Sequence, residues 1–131
     1  MPRWSVLVVD DSPIFRVAVR KFLTRDGDFD VCGEAANGRE AVEKAQQLRP
    51  DLIVTDLSMP VMNGLEECRA LKEIMPEVQV IMFTAHRDSF VEKEALSAGA
   101  SVVISKSEAV ATLIATARGL FDTNLFDRIA A

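Results

Sequence analysis

Residues suited to soft-metal and redox chemistry are scarce in this chain, which has two cysteines, Cys32 and Cys68, and one histidine, His86, among 131 residues. The cysteines lack the spacing of a metal-ligand pair and the histidine has no ligand partners, which excludes a transition-metal centre. Cys32 falls in a predicted strand and Cys68 in a predicted helix, so both are expected to be buried, reduced thiols. No apolar stretch approaches the ~20 residues that span a bilayer, and the N-terminus carries no signal-peptide pattern. No membrane partner is therefore expected, and the chain is read as cytoplasmic. Positive charge is also in deficit, 15 Lys and Arg against 20 Asp and Glu, for a net charge of -5. Direct nucleic-acid binding by this chain is excluded on that ground, because contact with a phosphate backbone requires a basic face. Internal repeats, low-complexity tracts and linkers are absent as well. A chain of this length suits one domain that buries roughly two-thirds of its unfolded surface.

What the chain does have is a set of polar residues placed where apolar runs stop. Val6-Leu7-Val8-Val9 ends in Asp10-Asp11, and Leu52-Ile53-Val54-Thr55 ends in Asp56. Val78-Gln79-Val80-Ile81-Met82-Phe83 ends in Thr84, and Val102-Val103-Ile104-Ser105 ends in Lys106. Short β-branched runs bounded by turn residues read as fully buried parallel strands. Phe29–Glu34 reads as one more strand.

Segments of helical period lie between these runs. Ser12-Pro13 supplies an N-cap and a first-turn proline, and Ile14, Val17, Ala18 and Phe22 form the expected inward stripe of the first helix. Arg16, Arg20 and Lys21 are expected outside. Further helices are predicted over Arg39–Leu48 with Ala41, Val42 and Ala45 inward, Leu65–Ile74, Asp88–Ser97 and Glu108–Leu120. Pro50 and Pro76 are the expected stops of the second and third, and Gly99 a left-handed cap of the fourth. Strict alternation of five strands and five helices predicts a three-layer α/β fold, a doubly wound five-stranded parallel sheet. Ligands of such sheets bind beyond the carboxyl ends of the strands. Asp10, Asp11, Asp56, Thr84 and Lys106 are thus expected to converge, and three carboxylates with a hydroxyl and an ammonium suit a divalent metal and a phosphoryl group.

At these residues the chain resembles the receiver domains of two-component response regulators. The matching stretches are Val8-Val9-Asp10-Asp11-Ser12, Ala36-Asn37-Gly38-Arg39-Glu40-Ala41 and Pro50 to Pro60 around Asp56. Asn63-Gly64, Phe83-Thr84-Ala85, Ala98-Gly99-Ala100 and Lys106 follow in the expected order. Each is weak alone; together they cover about residues 5 to 120. The resemblance implies a flavodoxin-like strand order 2-1-3-4-5, a receiver domain over residues 1–121, and a tail or short helix over 122–131, where Leu125, Phe126 and Ile129 keep helical spacing.

The resemblance also implies roles. Asp56 is the expected phosphoacceptor, since a carboxylate can attack phosphorus to form an acyl phosphate. Asp10, Asp11 and Asp56 crowd like charges together and call for a cation, and all-oxygen ligation favours Mg2+. By resemblance Asp11 ligates directly, Asp10 through water, and Ser58 through its backbone carbonyl. Lys106 is expected to pair with phosphoryl oxygens and Thr84 to donate its hydroxyl to them. By resemblance His86 and Ser58, each two residues past a site residue, would tune the lifetime of the phosphoryl group, the alternative for His86 being an exposed loop residue. The donor would be a sensor histidine kinase or histidine phosphotransfer protein, the readout a changed surface of the fourth helix, fifth strand and fifth helix. The output partner is unknown, and a homodimer is one form it could take.

Two positions depart from the family pattern. Val103 stands where an aromatic switch residue is usual, and Ser107 where a cis proline is usual. A cis bond to a non-proline residue costs about 3–4 kcal/mol, which favours a trans 106–107 peptide. The rival readings are a small aspartyl-phosphate-type phosphatase, a flavin or nucleotide binder, and the N-terminal part of a DNA-binding response regulator. The first lacks its second Asp, since Ser12 stands two residues after Asp10. The second lacks a glycine-rich phosphate loop after the first strand. The third needs a DNA-binding module that does not fit within these residues. The reading adopted is a phosphorylatable signalling switch and not a metabolic enzyme.

Overall fold

Apolar runs too short for helices and helical segments with one apolar face alternate between Trp4 and Phe121, and each becomes the element its period dictates. The structure, a computed structural model, describes residues 3–25, 27–85, 87–108 and 110–121. Five strands, β1 (Trp4–Val9), β2 (Phe29–Ala35), β3 (Leu52–Thr55), β4 (Gln79–Thr84) and β5 (Val102–Ser105), alternate with five helices. The helices are α1 (Pro13–Thr24), α2 (Gly38–Leu48), α3 (Gly64–Ile74), α4 (Ser89–Ser97) and α5 (Val110–Phe121). All neighbouring strands pair in parallel, in the order β2-β1-β3-β4-β5. The predicted tail over 122–131 lies outside the described residues. No helix among the described residues is long and apolar enough to cross a membrane.

The pleat sorts the strand residues to two cores. Val6, Val8, Leu52, Val54, Ile81, Phe83 and Ile104 pack against Val19 and Leu23 of α1 and Leu113, Ile114 and Ala117 of α5. Leu7, Val9, Ile53, Val80, Met82 and Val103 face Ala41 and Ala45 of α2, Cys68 and Leu71 of α3 and Ala95 of α4. Each fully buried aliphatic side chain contributes about 1.5–3 kcal/mol, so both faces hold the sheet.

The expected inward stripe of α1 is wrong by one helical row. Phe15, Val19 and Leu23, at i, i+4 and i+8, line the core, whereas Ile14 is 84% exposed and Val17 47%. Apolar residues lie on both sides of this helix, so periodicity alone does not choose the face. The partly buried Arg16 decides it, drawn down by an ion pair with Glu34 at 3.0 Å.

Helix ends follow local chemistry. Ser12, Asn37, Asn63 and Asp88 each accept a backbone N–H at an N-terminus, and Asn63 forms a capping box with Glu66. α2 ends before Pro50, on Arg49 in the left-handed region at φ 50, with its N–H on the Ala45 carbonyl. Gly99 adopts φ 111 just past α4, as expected of a cap glycine. Both cysteines are free; Cys68 is buried, but Cys32 is only half-buried, at a bulge in β2 where Val6 pairs with Val31 and Leu7 with Gly33. At the start of α3, Gly64 has no substitute: a Cβ there would lie 2.3 Å from the Asp56 carbonyl oxygen.

Candidate functional site

The strand register brings the acidic residues to one level. Val9 pairs with Thr55, so Asp10 and Asp56 leave adjacent strands side by side. Their own N–H groups carry the ladder one step further, Asp56 donating to the Val9 carbonyl and Asp10 to the Ala35 carbonyl, each at 3.1 Å. Both side chains are buried, Asp10 at 2% and Asp56 at 8% exposure, while Asp11 is exposed.

Carboxylate oxygens of Asp10, Asp11 and Asp56 lie within 4.8 Å of one another. Lys106 reaches across from β5 and donates to Asp10 Oδ2 at 2.6 Å and to Asp56 Oδ2 at 3.0 Å. The remaining oxygens are held by backbone, Asp10 Oδ1 by the Ser12 N–H at 2.9 Å and Asp56 Oδ1 by the Leu57 N–H at 2.7 Å. Burial pulls the Lys106 pKa down, but hydrogen bonds and charge from Asp10 and Asp56 outweigh it and hold it above the ordinary lysine value. Lys106 therefore stays an ammonium throughout the neutral range. All-oxygen donors around three carboxylates match a hard divalent cation such as Mg2+.

Thr84 ends β4, is 1% exposed, and its carbonyl accepts the Lys106 N–H at 2.8 Å, which ties the β5–α5 loop to the end of β4. Ser58 is exposed in the loop after Asp56, with its N–H 3.4 Å from Asp56 Oδ1. Val103 is buried at 3% in the core below this edge and does not line the acidic cluster. The 106–107 peptide is trans. His86 lies outside the described residues.

Two contributors escape a reading of strand ends. Phe15 places its ring centroid 4.1 Å from Lys106 Nζ and packs tilted against Phe83, giving the ammonium an apolar, π-rich floor. Arg16 donates through Nη1 to the Asp10 carbonyl at 2.5 Å and through Nε to Glu34 at 3.0 Å, fixing the acidic turn to β2. The i+4 row from Phe15 to Leu23 is the signal that identifies the first; the second has none in sequence.

A family model for the response regulator receiver domain matches residues 6–118. The chemotaxis protein CheY of Thermotoga maritima is 40% identical over 101 residues, 77% of this chain and 83% of that protein. A protein-glutamate methylesterase/protein-glutamine glutaminase of a Nocardioides species is 44% identical over 108 residues, 81% of this chain. The chain spans only 30% of that methylesterase, and 50% of the transcriptional regulatory protein LnrK of Bacillus subtilis. Among solved structures, the signal receiver domain of NarL from Mycobacterium tuberculosis superposes with a TM-score of 0.87 at 28% identity, covering 92% of this chain and 97% of that one. The CheX–CheY–BeF3–Mg2+ complex from Borrelia burgdorferi gives 0.82 at 29% identity, covering 90% of this chain and 89% of the matched one. The chain belongs to the response regulator receiver domain family and is a receiver domain of two-component signalling.

Proposed function

We propose that this chain is a phosphoacceptor switch in which Asp56 takes a phosphoryl group from a phosphohistidine. The observation that carries the reading is the single ammonium of Lys106 shared between the buried Asp10 and Asp56 carboxylates. In the transfer, an Asp56 carboxylate oxygen forms the new bond to phosphorus as the donor's N–P bond breaks and its imidazole leaves. The transition state is loose, so positioning and charge neutralisation are the main contributions. Lys106 can follow the charge from Asp56 Oδ2 to the phosphoryl oxygens, and the Thr84 hydroxyl donates to the same group. Asp10, Asp11, Asp56 and the Ser58 carbonyl are the residues that would hold Mg2+, which when bound offsets the repulsion between carboxylates and the incoming phosphoryl group. His86 and Ser58 flank the path of attacking water.

The donor in this reading is a sensor histidine kinase or a histidine phosphotransfer protein, and the setting is the cytoplasm. Residues 1–121 form the receiver unit, and its only chemistry is its own phosphorylation and dephosphorylation. Arrival of the phosphoryl group shifts a two-state equilibrium in the α4-β5-α5 surface. Val103 offers no ring to swing inward behind Thr84, so the shift passes through the loop after Thr84 and the loop at Lys106-Ser107.

Incubation with acetyl phosphate and Mg2+ tests the reading. One phosphoryl mass should appear on the wild-type chain and none on Asp56→Asn. Equal labelling of that variant overturns the assignment.

A further inference from the structure

Resting on that reading of Asp56, we infer that Glu67 is a positioning residue for the phosphoacceptor, acting through a hydrogen-bond relay that runs from its carboxyl group to the Thr55 hydroxyl and on to the Asp56–Leu57 peptide. Glu67 sits on the inner face of α3 beside Cys68 and Leu71 and is 0% exposed. Its Oε1 is 2.6 Å from Thr55 Oγ1, and its Oε2 has no hydrogen-bond partner among the described residues. The same Thr55 hydroxyl lies 3.1 Å from the Asp56 carbonyl oxygen.

Counting protons fixes the direction of the relay. A hydroxyl has one proton to give. If Glu67 is protonated, it donates to Thr55, and the Thr55 proton is free for the Asp56 carbonyl. If Glu67 is ionised, it accepts the hydrogen bond of the Thr55 hydroxyl, and the Asp56 carbonyl loses that donor. The carbonyl belongs to the peptide unit whose other end, the Leu57 N–H, holds Asp56 Oδ1 at 2.7 Å. One end of this peptide plane is therefore gripped by the relay and the other grips the nucleophile's carboxylate.

The surroundings select the protonated form. Thr55 faces Glu67 from β3, and α2 approaches it at Gly38, where a Cβ would lie 3.0 Å from that of Glu67. The charged residues of α2 look elsewhere, Arg39 to Glu43 and Lys44 to Glu40. On α3, Glu66 is engaged in the capping box, and the Lys72 ammonium donates to the Pro76 and Val78 carbonyls. On the α4 side, Glu92 pairs with Arg87. Asp56 turns its carboxylate toward Lys106. Cys68 is the remaining titratable neighbour, its thiol pushed up to about 11 by burial first and then by Glu67. A carboxylate in such a place has lost its water and gained no cation, which favours the neutral acid. Burial accordingly pushes the Glu67 pKa up to about 8, against a smaller lowering from the Thr55 hydrogen bond.

The test compares wild type, Glu67→Gln and Thr55→Val in phosphorylation by acetyl phosphate with Mg2+ from pH 6.5 to 9.5. A glutamine amide donates at every pH and does not titrate. The rate ratio of Glu67→Gln to wild type should rise about fivefold across that range, the size of one neutral hydrogen bond. In the Thr55→Val background, Glu67→Gln should make no difference at any pH. A second readout needs no phosphorylation: the Glu67 carboxyl carbon and the Leu57 amide should titrate together near pH 8 in NMR spectra of the wild type. The Leu57 titration should vanish in Glu67→Gln. A flat rate ratio, or a Leu57 amide indifferent to the Glu67 titration, overturns the relay. Labelling of Asp56→Asn overturns the phosphoacceptor reading and leaves the NMR coupling to judge the relay by itself.

Discussion

Asp10 and Glu67 are both almost completely buried carboxyl groups within one small domain, and the two are stabilised in opposite ways. Asp10 is surrounded by compensation: the Lys106 ammonium at 2.6 Å on one oxygen and the Ser12 N–H at 2.9 Å on the other. Among the described residues Glu67 has a single hydroxyl partner and no cation. The first group is matched by an ammonium and can serve charge chemistry at the strand ends; the second is held toward its neutral form by burial and can serve as a donor. Burial alone does not set a carboxyl group's state; the partners brought along with it do.

Removing the compensation from the first region should have the largest effect. Lys106→Ala leaves Asp10 buried and facing Asp56 with no counter-ion, and should cost about 3 kcal/mol of stability at pH 7 in urea unfolding. A variant as stable as wild type at pH 7 would show that the carboxylates need no ammonium.

The second region predicts an effect of opposite sign. A carboxyl group whose pKa is higher in the folded than in the unfolded chain destabilises the fold once the unfolded chain ionises. The penalty begins near the ordinary glutamate value, grows with pH, and levels off above about 8, where the folded group also ionises. Glu67→Gln should therefore stabilise the domain by about 2 kcal/mol at pH 9 and hardly at all below pH 4. Equal stability of variant and wild type across that window would show that Glu67 is compensated after all.

Val103→Ala should cost about 1.5 kcal/mol through the cavity it leaves, because this side chain is core packing below the site. The amide shifts that beryllofluoride induces in α4 should survive that change and weaken in Thr84→Ala. The reverse pattern would move the signalling route to β5. Asp11→Asn should change stability least, within about 0.5 kcal/mol, since Asp11 is exposed. Its Mg2+ affinity by calorimetry should nonetheless fall more than tenfold, roughly the least expected where a ligand and not its support is lost. Unchanged affinity would remove Asp11 from the proposed cage.

The charged edge was legible because it obeys a rule of position: a polar residue that ends a buried parallel strand lands at the carboxyl edge wherever it lies in the chain. Asp10, Asp56, Thr84 and Lys106 could be placed this way from apolar runs alone. Glu67 was not legible, since beside Glu66 on an amphipathic helix an acid reads as solvent-facing. Its burial depends on the close approach of α2 at Gly38, a long-range contact with no periodic signature. The face of α1 was misread for a related reason. Two apolar rows compete there, and the Arg16–Glu34 pair that settles the rotation joins residues on different elements.

The bare hydrogen of Gly64 against the Asp56 carbonyl has a mechanical consequence. Backbone meets backbone there, with no side chain between them to change rotamer and absorb a displacement. α3 is thus coupled to the phosphoacceptor as a lever is to its fulcrum. A shift of the Asp56 peptide by a few tenths of an ångström has to be met by movement of the whole helix. Any larger residue at position 64 would set that lever at a new angle before a signal arrived.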